Sequence, residues 1–79
     1  MGKGFIYLLD ENGERAGDNI DVFKDSYTGC AEFKLIKNKT TTIKKDDVFY
    51  YSDDDVPERS GTYKVTWVLK NKITASRVK

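Results

Sequence analysis

The amino-acid sequence predicts an all-β fold, either a small antiparallel barrel or a compact sandwich of about five to seven short strands. Apolar residues alternate with polar ones or occur in runs that are too short for a helix. Turn residues separate these runs, and no segment has the sustained three-to-four spacing of an amphipathic helix. With 79 residues, the chain is expected to form a single β domain over residues 1-79. Closure or stacking would protect the edges of so small a sheet.

The first half of the chain contains three candidate strands. Residues 5 to 9 alternate, and Asn12-Gly13 after them predicts a hairpin with a weak return strand. A short strand is expected over residues 20 to 24. The third strand, residues 30 to 37, places Ala31, Phe33 and Leu35 on one face, which is the pattern of a half-buried strand.

The second half continues with β-branched residues at 40 to 43 and a dense aromatic strand at 48 to 51. The polar stretch from 52 to 61 contains Pro57, the only proline, and is expected to be a surface loop. In the last hairpin, Tyr63, Val65, Trp67 and Leu69 share a face. This register predicts that Trp67 is buried in the core, with a return strand over residues 73 to 78.

Two turns in the sequence read Lys-Asn-Lys. Residues 36 to 41 and 69 to 74 align at an offset of 33, each within a strand-turn-strand pattern. Asn tolerates the left-handed conformation that tight hairpins need, so both are predicted to be hairpin turns with cationic tips. Six matching positions are too few to indicate an internal duplication.

Charge is segmented along the chain although the net charge is only +1. Residues 33 to 45 carry five Lys and no acid, residues 46 to 58 carry six acids and no base, and residues 59 to 79 carry six bases and no acid. Basic and acidic strands could pair across the sheet, where facing opposite charges are mildly favourable. Alternatively, folding could collect the basic segments on one face.

Catalytic groups are scarce in this composition. There is no His to act as a base near neutral pH, Cys30 is the only cysteine, and no Gly-rich phosphate loop occurs. The interpretation is therefore a protein that is not an enzyme, with no catalytic residues, no cofactor and no metal. The acids at 53 to 55 lack the spacing of an EF-hand and are read as a solvated loop.

The longest apolar run, Phe5 to Leu9, is far too short to cross a bilayer, and no signal peptide is evident. A lone cysteine fits a reducing compartment, so a cytoplasmic location without membrane association is expected. Open sheet edges would leave a homodimer as one way to complete the fold.

These observations predict a non-enzymatic protein that presents a β-sheet surface to a macromolecule. The first hypothesis is a protein partner, with the chain acting as a small inhibitor or adaptor. The alternative is a nucleic-acid-binding small β-barrel that uses basic hairpin tips. The candidate protein-binding residues are Tyr50, Tyr51, Asp53, Asp54 and Asp55; those for nucleic acid are Lys37, Lys39, Lys70, Lys72 and Arg77.

Overall fold

Six antiparallel strands close into a barrel in the computed structural model, which describes residues 2–27, 30–36 and 43–78. The all-β prediction is confirmed, and closure selects the barrel over the sandwich. No helix in these ranges has the length and apolar character needed to cross a membrane. The elements are β1 (Gly2–Leu8), β2 (Ile20–Tyr27), β3 (Cys30–Leu35), β4 (Val48–Asp53), a 3₁₀ helix (Pro57–Arg59), β5 (Gly61–Val68) and β6 (Lys72–Arg77).

The strand order around the barrel is β1-β2-β3-β6-β5-β4. Two three-stranded meanders, β1 to β3 and β4 to β6, are joined by the β3–β6 and β1–β4 pairings. Each of these six strands therefore pairs on both sides. Because none of them keeps an open edge, this barrel does not offer the edge-to-edge dimer that the sequence left open.

Alternating side chains from all six strands fill the barrel interior. Phe33 on β3 lies near its centre and reaches across to β4 and β5, where its ring centroid lies 5.1 Å from Phe49, 5.2 Å from Tyr51 and 5.1 Å from Tyr63. All three contacts are edge-to-face, a favoured geometry for aromatic pairs. The buried apolar residues are Ile6, Val22, Ala31, Phe33, Leu35, Ile43, Phe49, Tyr51, Tyr63, Val65, Ile73 and Ala75.

The two ends of the barrel differ in polarity. At one end the interior is closed by apolar side chains, with Ile43 buried and Leu8, Ile20 and Val68 packed against the core. At the other end, the terminal inward positions are polar or glycine: Gly2, Lys24, Asp53 and Arg77. Since these residues do not fill the interior with apolar atoms, the core stops short of this end.

A β-bulge in β5 contradicts the prediction that Trp67 is buried. Val65 pairs with Ala75 but Trp67 pairs with Thr74, so Thr66 is an extra residue in β5. The inserted residue shifts the alternation by one position, and Trp67 points outward with 58% of its surface exposed. Counting strictly alternate positions from Tyr63 therefore placed Trp67 on the wrong face. A one-residue insertion exchanges the inward and outward faces for every later side chain in the strand.

Both predicted turns in the described ranges are present. Gly13 has a φ of 79°, and Leu9 bridges Arg15, so the Asn12-Gly13 hairpin forms with a return strand reduced to one bridge. The β5–β6 turn closes through the N–H of Leu69, which donates to the carbonyl of Lys72 at 2.8 Å. The first Lys-Asn-Lys turn, residues 37–39, lies outside the described residues.

The second Lys-Asn-Lys turn joins β5 to β6, whereas the first sequence match follows β3. In a meander repeat the equivalent of β3 is β6, so the 33-residue offset does not relate equivalent strands. However, the N–H of Leu35 donates to the carbonyl of Asn71 at 2.8 Å. The end of β3 therefore lies directly beside the β5–β6 turn.

Gly4 is required where β1 closes against β4. A Cβ at this position would collide with the backbone carbonyl oxygen of Ser52. We expect Gly4→Ala to lower the free energy of unfolding by about 1–3 kcal/mol, the usual cost of overpacking, since backbone cannot yield as a flexible side chain can. Urea unfolding with circular dichroism measures this change.

The matched control is Gly17→Ala. Nothing lies within 4 Å of a Cβ built on Gly17, and its backbone needs no left-handed conformation. Its unfolding midpoint should match or exceed that of the unmodified protein. Equal midpoints for the two alanine variants would show that β1 and β4 do not approach each other as closely as described.

Candidate functional site

The outer surface of β3, β6 and β5 is basic and rich in hydroxyl groups, and Trp67 stands on it. We call this region the Trp67 surface. Trp67 is the most exposed large hydrophobic residue of the described ranges. The outward-facing residues of the region are Glu32, Lys34, Thr62, Lys64, Thr66, Trp67, Lys72, Thr74 and Ser76.

Side-chain contacts hold several polar groups of the Trp67 surface in defined positions. The hydroxyls of Thr66 and Thr74 lie 2.8 Å apart, which ties the bulge to β6. Lys34 and Lys72 are directly opposed across β3 and β6, an arrangement that repels in the absence of an anion. Lys72 lies 3.6 Å from Glu32, the one acid among the outward residues named above. The surface therefore keeps an excess of positive charge.

A turn at Lys44–Asp47 is held beside the bulge. The N–H of Asp46 donates to the carbonyl of Val65, and the N–H of Val65 donates to the carbonyl of Asp47. Asp46 adopts a φ of 78°, which Asp tolerates better than most residues, and the Asp47 carboxylate accepts from the N–H of Lys44 at 2.9 Å. The exposed side chains of Lys44 and Lys45 thus lie on a turn anchored next to Thr66.

The predicted nucleic-acid residues do not form one group. Lys72 belongs to the Trp67 surface and Lys70 lies beside it in the β5–β6 turn, whereas Arg77 lies at the opposite end of β6. There its guanidinium donates to the carbonyl of Ser60 at 2.9 Å and lies 5.9 Å from the ring centroid of Tyr63. Lys37 and Lys39 lie outside the described residues.

The end of the barrel that contains Arg77 opens into a pocket of about 470 Å³, which we call the charged mouth. Gly2 and Tyr63 contribute to its floor. Lys24 points into it from β2 and is only 8% exposed. Burial, and after it the positive charge of Arg59, lowers the pKa of Lys24 against the opposing effect of Asp53. The charged lining residues are Lys24, Asp25, Asp53, Glu58, Arg59 and Arg77.

Asp53 organises the wall of the charged mouth and is 6% exposed. Its Oδ1 accepts from the N–H groups of Asp55 and Val56 at 2.8 and 2.7 Å, and its Oδ2 accepts from the Tyr51 hydroxyl at 2.8 Å. Burial alone would raise the pKa of Asp53, but these three hydrogen bonds and the charge of Arg59 hold it below the ordinary 3.8. Burial and the bond to Asp53 raise the pKa of Tyr51.

The predicted protein-binding residues also divide between interior and surface. Tyr51 is fully buried and Asp53 nearly so, which means that neither side chain is presented to a partner. Tyr50 points outward, half-buried, with its ring centroid 5.6 Å from that of Tyr7. Asp54 and Asp55 are exposed.

The chemical groups of a reaction centre are sparse in the described ranges. They contain no cluster of three or more Cys, Asp or Glu side chains arranged to hold a metal ion. Cys30 is a free, half-buried thiol. These ranges do contain the charged and aromatic surfaces described above.

No protein-family model, no curated protein and no solved structure matches this chain. The functional argument therefore depends on the geometry of the chain itself.

Sequence reasoning missed the charged mouth, although a signal for it existed. Ile20, Val22 and Lys24 share one face of β2, and Phe49, Tyr51 and Asp53 share one face of β4. A charged residue at the end of an inward-facing series indicates where a barrel core meets water. Only the strand order shows that Lys24, Asp53 and Arg77 meet at the same end.

The Asp53 hydrogen bonds make a pH-dependent contribution to stability. Because the pKa of Asp53 is lower in the folded chain, this contribution is present above pH 3.8 and is lost as the pH falls through the folded-state pKa. Asp53→Asn keeps an oxygen for the two N–H groups but presents an amide nitrogen to the Tyr51 hydroxyl. We expect a loss of about 1–3 kcal/mol at neutral pH and a shallower decline in acid.

Urea unfolding from neutral pH into the acid range measures both effects. Asp54→Asn, at the exposed neighbouring position, should follow the unmodified protein throughout. An Asp53→Asn variant with an acid profile parallel to that of Asp54→Asn would mean that the Asp53 network does not stabilise the fold.

Proposed function

We propose that this chain is a non-enzymatic binding protein that holds single-stranded nucleic acid on the Trp67 surface. The observation that supports this most directly is the exposure of Trp67 on a surface with excess positive charge. Burying an exposed indole on a binding partner is favourable, and a nucleobase presents a flat face on which it can stack.

Charge on the Trp67 surface supports the same proposal. Lys34 and Lys72 face each other, with Glu32 pairing only Lys72, and Lys64 lies on the strand next to β6. A phosphate between two opposed lysines removes their repulsion, and the counterions released from the nucleic acid add to affinity. The hydroxyl of Ser76 supplies a further donor to phosphate oxygens.

The β-bulge explains how stacking and phosphate contacts combine in this proposal. Regular alternation would bury the indole, whereas the inserted Thr66 turns it outward beside Thr74. Bulges often redirect a side chain towards a functional surface. A single nucleic-acid strand that lies across β5 and β6 would stack one base on Trp67, while its phosphate backbone passes over Lys34, Lys64 and Lys72.

Replacement of Trp67 tests the stacking contact. We expect Trp67→Ala to weaken binding of a labelled oligothymidine by about 1–3 kcal/mol, the contribution of one stacked base, whereas Trp67→Phe should lose less. Fluorescence anisotropy at low salt measures affinity. The chain has one Trp, so quenching of its fluorescence by unlabelled oligothymidine reports contact directly.

The phosphate contacts are tested by salt dependence. Replacing Lys34 and Lys72 with Gln should flatten the dependence of log K on log salt by about 0.7 for each lost phosphate contact. Lys3→Gln is the control for each single replacement, Lys34→Gln or Lys72→Gln, because it removes one charge from an exposed position on β1, away from the Trp67 surface. An oligothymidine that fails to bind at low salt, or that binds Trp67→Ala as tightly as the unmodified protein, would refute the proposal.

A protein partner is the second candidate, supported by a different observation. Phe5 and Tyr7 on β1 stack with ring centroids 6.3 Å apart, and Tyr50 on β4 extends this outward aromatic row. The exposed Asp54 and Asp55 follow β4 directly. An aromatic row beside acidic groups suits a basic protein, which this chain would bind as an inhibitor or adaptor.

Charge reversal tests this second candidate. We expect the double variant Asp54→Lys/Asp55→Lys to capture a partner from lysate less well, because rim charges steer association. Glu11→Lys/Asp18→Lys makes the same charge change in the exposed β1–β2 connection and should capture it normally. Equal capture by both double variants would show that Asp54 and Asp55 take no part.

A further inference from the structure

The charged mouth is a second candidate site, at the far end of the barrel from the β5–β6 turn. Apart from Asp25, which follows the inward Lys24 and faces Glu32 on the outside of the sheet, its residues lie on the inward register of their strands or on the 57–59 helix, and none belongs to the Trp67 surface. From this geometry we infer that the charged mouth binds a hydroxylated phosphate monoester of the sugar phosphate class. This inference is independent of the nucleic-acid proposal.

Two arginines supply the anion-binding half of the site. Among the residues that the structure describes, neither Arg59 nor Arg77 has a carboxylate within ion-pairing distance. Arg77 makes one hydrogen bond, to the Ser60 carbonyl, which leaves most of its donors available, and the Arg59 side chain makes none in these ranges. Guanidinium groups match phosphate oxygens in geometry and can bind them in pairs.

Lys24 adds a third positive group deeper in the pocket. Its ammonium lies 6.0 Å from the ring centroid of Tyr63, on which the Arg77 guanidinium also converges. The three carboxylates of the lining balance the formal charge of the three cations, but Arg59 and Arg77 still act against the positive charge of Lys24. A phosphate monoester with a charge of about −1.5 to −2 at neutral pH, placed on the side of the cations, would favour all three positive groups. The nearby Asp53 interacts with Lys24 and Arg59 through its charge, but its oxygens accept their hydrogen bonds from Tyr51, Asp55 and Val56 and not from these cations.

Carboxylates in the same pocket account for the hydroxylated part of the ligand. Glu58, on the 57–59 helix, and Asp25, on the outward register of β2, are both lining residues, and within the described ranges their side-chain oxygens accept no hydrogen bond and form no ion pair. A bare anion would be repelled by them, whereas sugar hydroxyls would donate to them. The volume of about 470 Å³ exceeds that of a phosphate ion and falls within the usual range for small-molecule pockets, ~300–1,000 Å³.

Two glycines keep the pocket open. A Cβ on Gly2 would lie 2.7 Å from Oδ2 of Asp53, and a Cβ on Gly61 would lie 2.7 Å from Nη2 of Arg77. Any side chain at either position would displace a charged group of the lining. Gly61→Ala therefore provides a way to move the Arg77 guanidinium without removing its charge.

Isothermal titration calorimetry with ribose 5-phosphate, ribose and inorganic phosphate tests the inference. Ribose 5-phosphate should bind with one-to-one stoichiometry. Ribose lacks the phosphate and inorganic phosphate lacks the sugar hydroxyls. Each should bind at least roughly tenfold more weakly than ribose 5-phosphate. No heat of binding at millimolar ribose 5-phosphate, or equal affinity for either partial ligand, would overturn it.

Variants locate the binding. Arg59→Gln should weaken ribose 5-phosphate binding by about tenfold while shifting the unfolding midpoint only slightly, because the exposed Arg59 side chain acts on Asp53 and Lys24 through its charge alone and in opposite senses. Gly61→Ala should weaken it as well. Lys64→Gln is the matched control: it removes the same charge from the outside of β5 and should leave this affinity unchanged. Equal losses in Arg59→Gln and Lys64→Gln would indicate a general charge effect and refute the site.

The same variants separate this site from the Trp67 surface. With an oligothymidine that carries a 5′ hydroxyl, Lys64→Gln should weaken binding and Arg59→Gln should not. Failure of oligothymidine binding alongside Arg59-dependent ribose 5-phosphate binding would remove the nucleic-acid proposal and support the charged mouth. Trp67-dependent oligothymidine binding without any binding of ribose 5-phosphate would support the nucleic-acid proposal and remove the charged mouth as a site.

Discussion

The cross-barrel contacts of Phe33 are the interaction on which the rest of this structure depends. Its ring extends from β3 to Phe49 and Tyr51 on β4, the strand opposite β3 in the barrel order, and to Tyr63 on β5. A 79-residue chain with one cysteine has no disulfide of its own to hold two meanders together, so interior packing must do so. Large rings fill the interior from few positions, and the β1–β4 and β3–β6 pairings then close the sheet around them.

One of these aromatic residues, Tyr51, connects the core to the polar end of the barrel. Tyr51 contributes its ring to the core and its hydroxyl to Asp53, so it spans the boundary between apolar interior and charged mouth. Asp53 in turn orders the start of the 54–60 connection through two N–H groups. Core packing and the geometry of the pocket are therefore coupled through this hydrogen bond and through Tyr63, which belongs to the core and lines the pocket, so a ligand in the charged mouth would contact groups whose positions the core sets.

The β-bulge at Thr66 has the opposite effect on the outside of the barrel. A single inserted residue turns the largest side chain of β5 from the core to the surface, while Val68 returns to pack against the interior. The prediction of Trp67 as core failed for this reason alone, since Tyr63 and Val65 lie inside as their alternation indicates. Alternation of apolar and polar residues in a sequence does not reveal where a bulge occurs. A bulge is stabilised by contacts between strands, such as that between Thr66 and Thr74.

The sequence by itself determined the all-β class, the inward face of Ala31, Phe33 and Leu35, and the turns at Asn12-Gly13 and after Leu69. These features follow from local alternation and from the turn chemistry of Asn and Gly. Tertiary structure decided what depends on pairing between distant segments: closure into a barrel, the burial of Tyr51 and Asp53, the exposure of Trp67, and the meeting of Lys24, Arg59 and Arg77 at one end. Local patterns assign a side chain to a face, whereas strand order and register assign that face to core, surface or mouth.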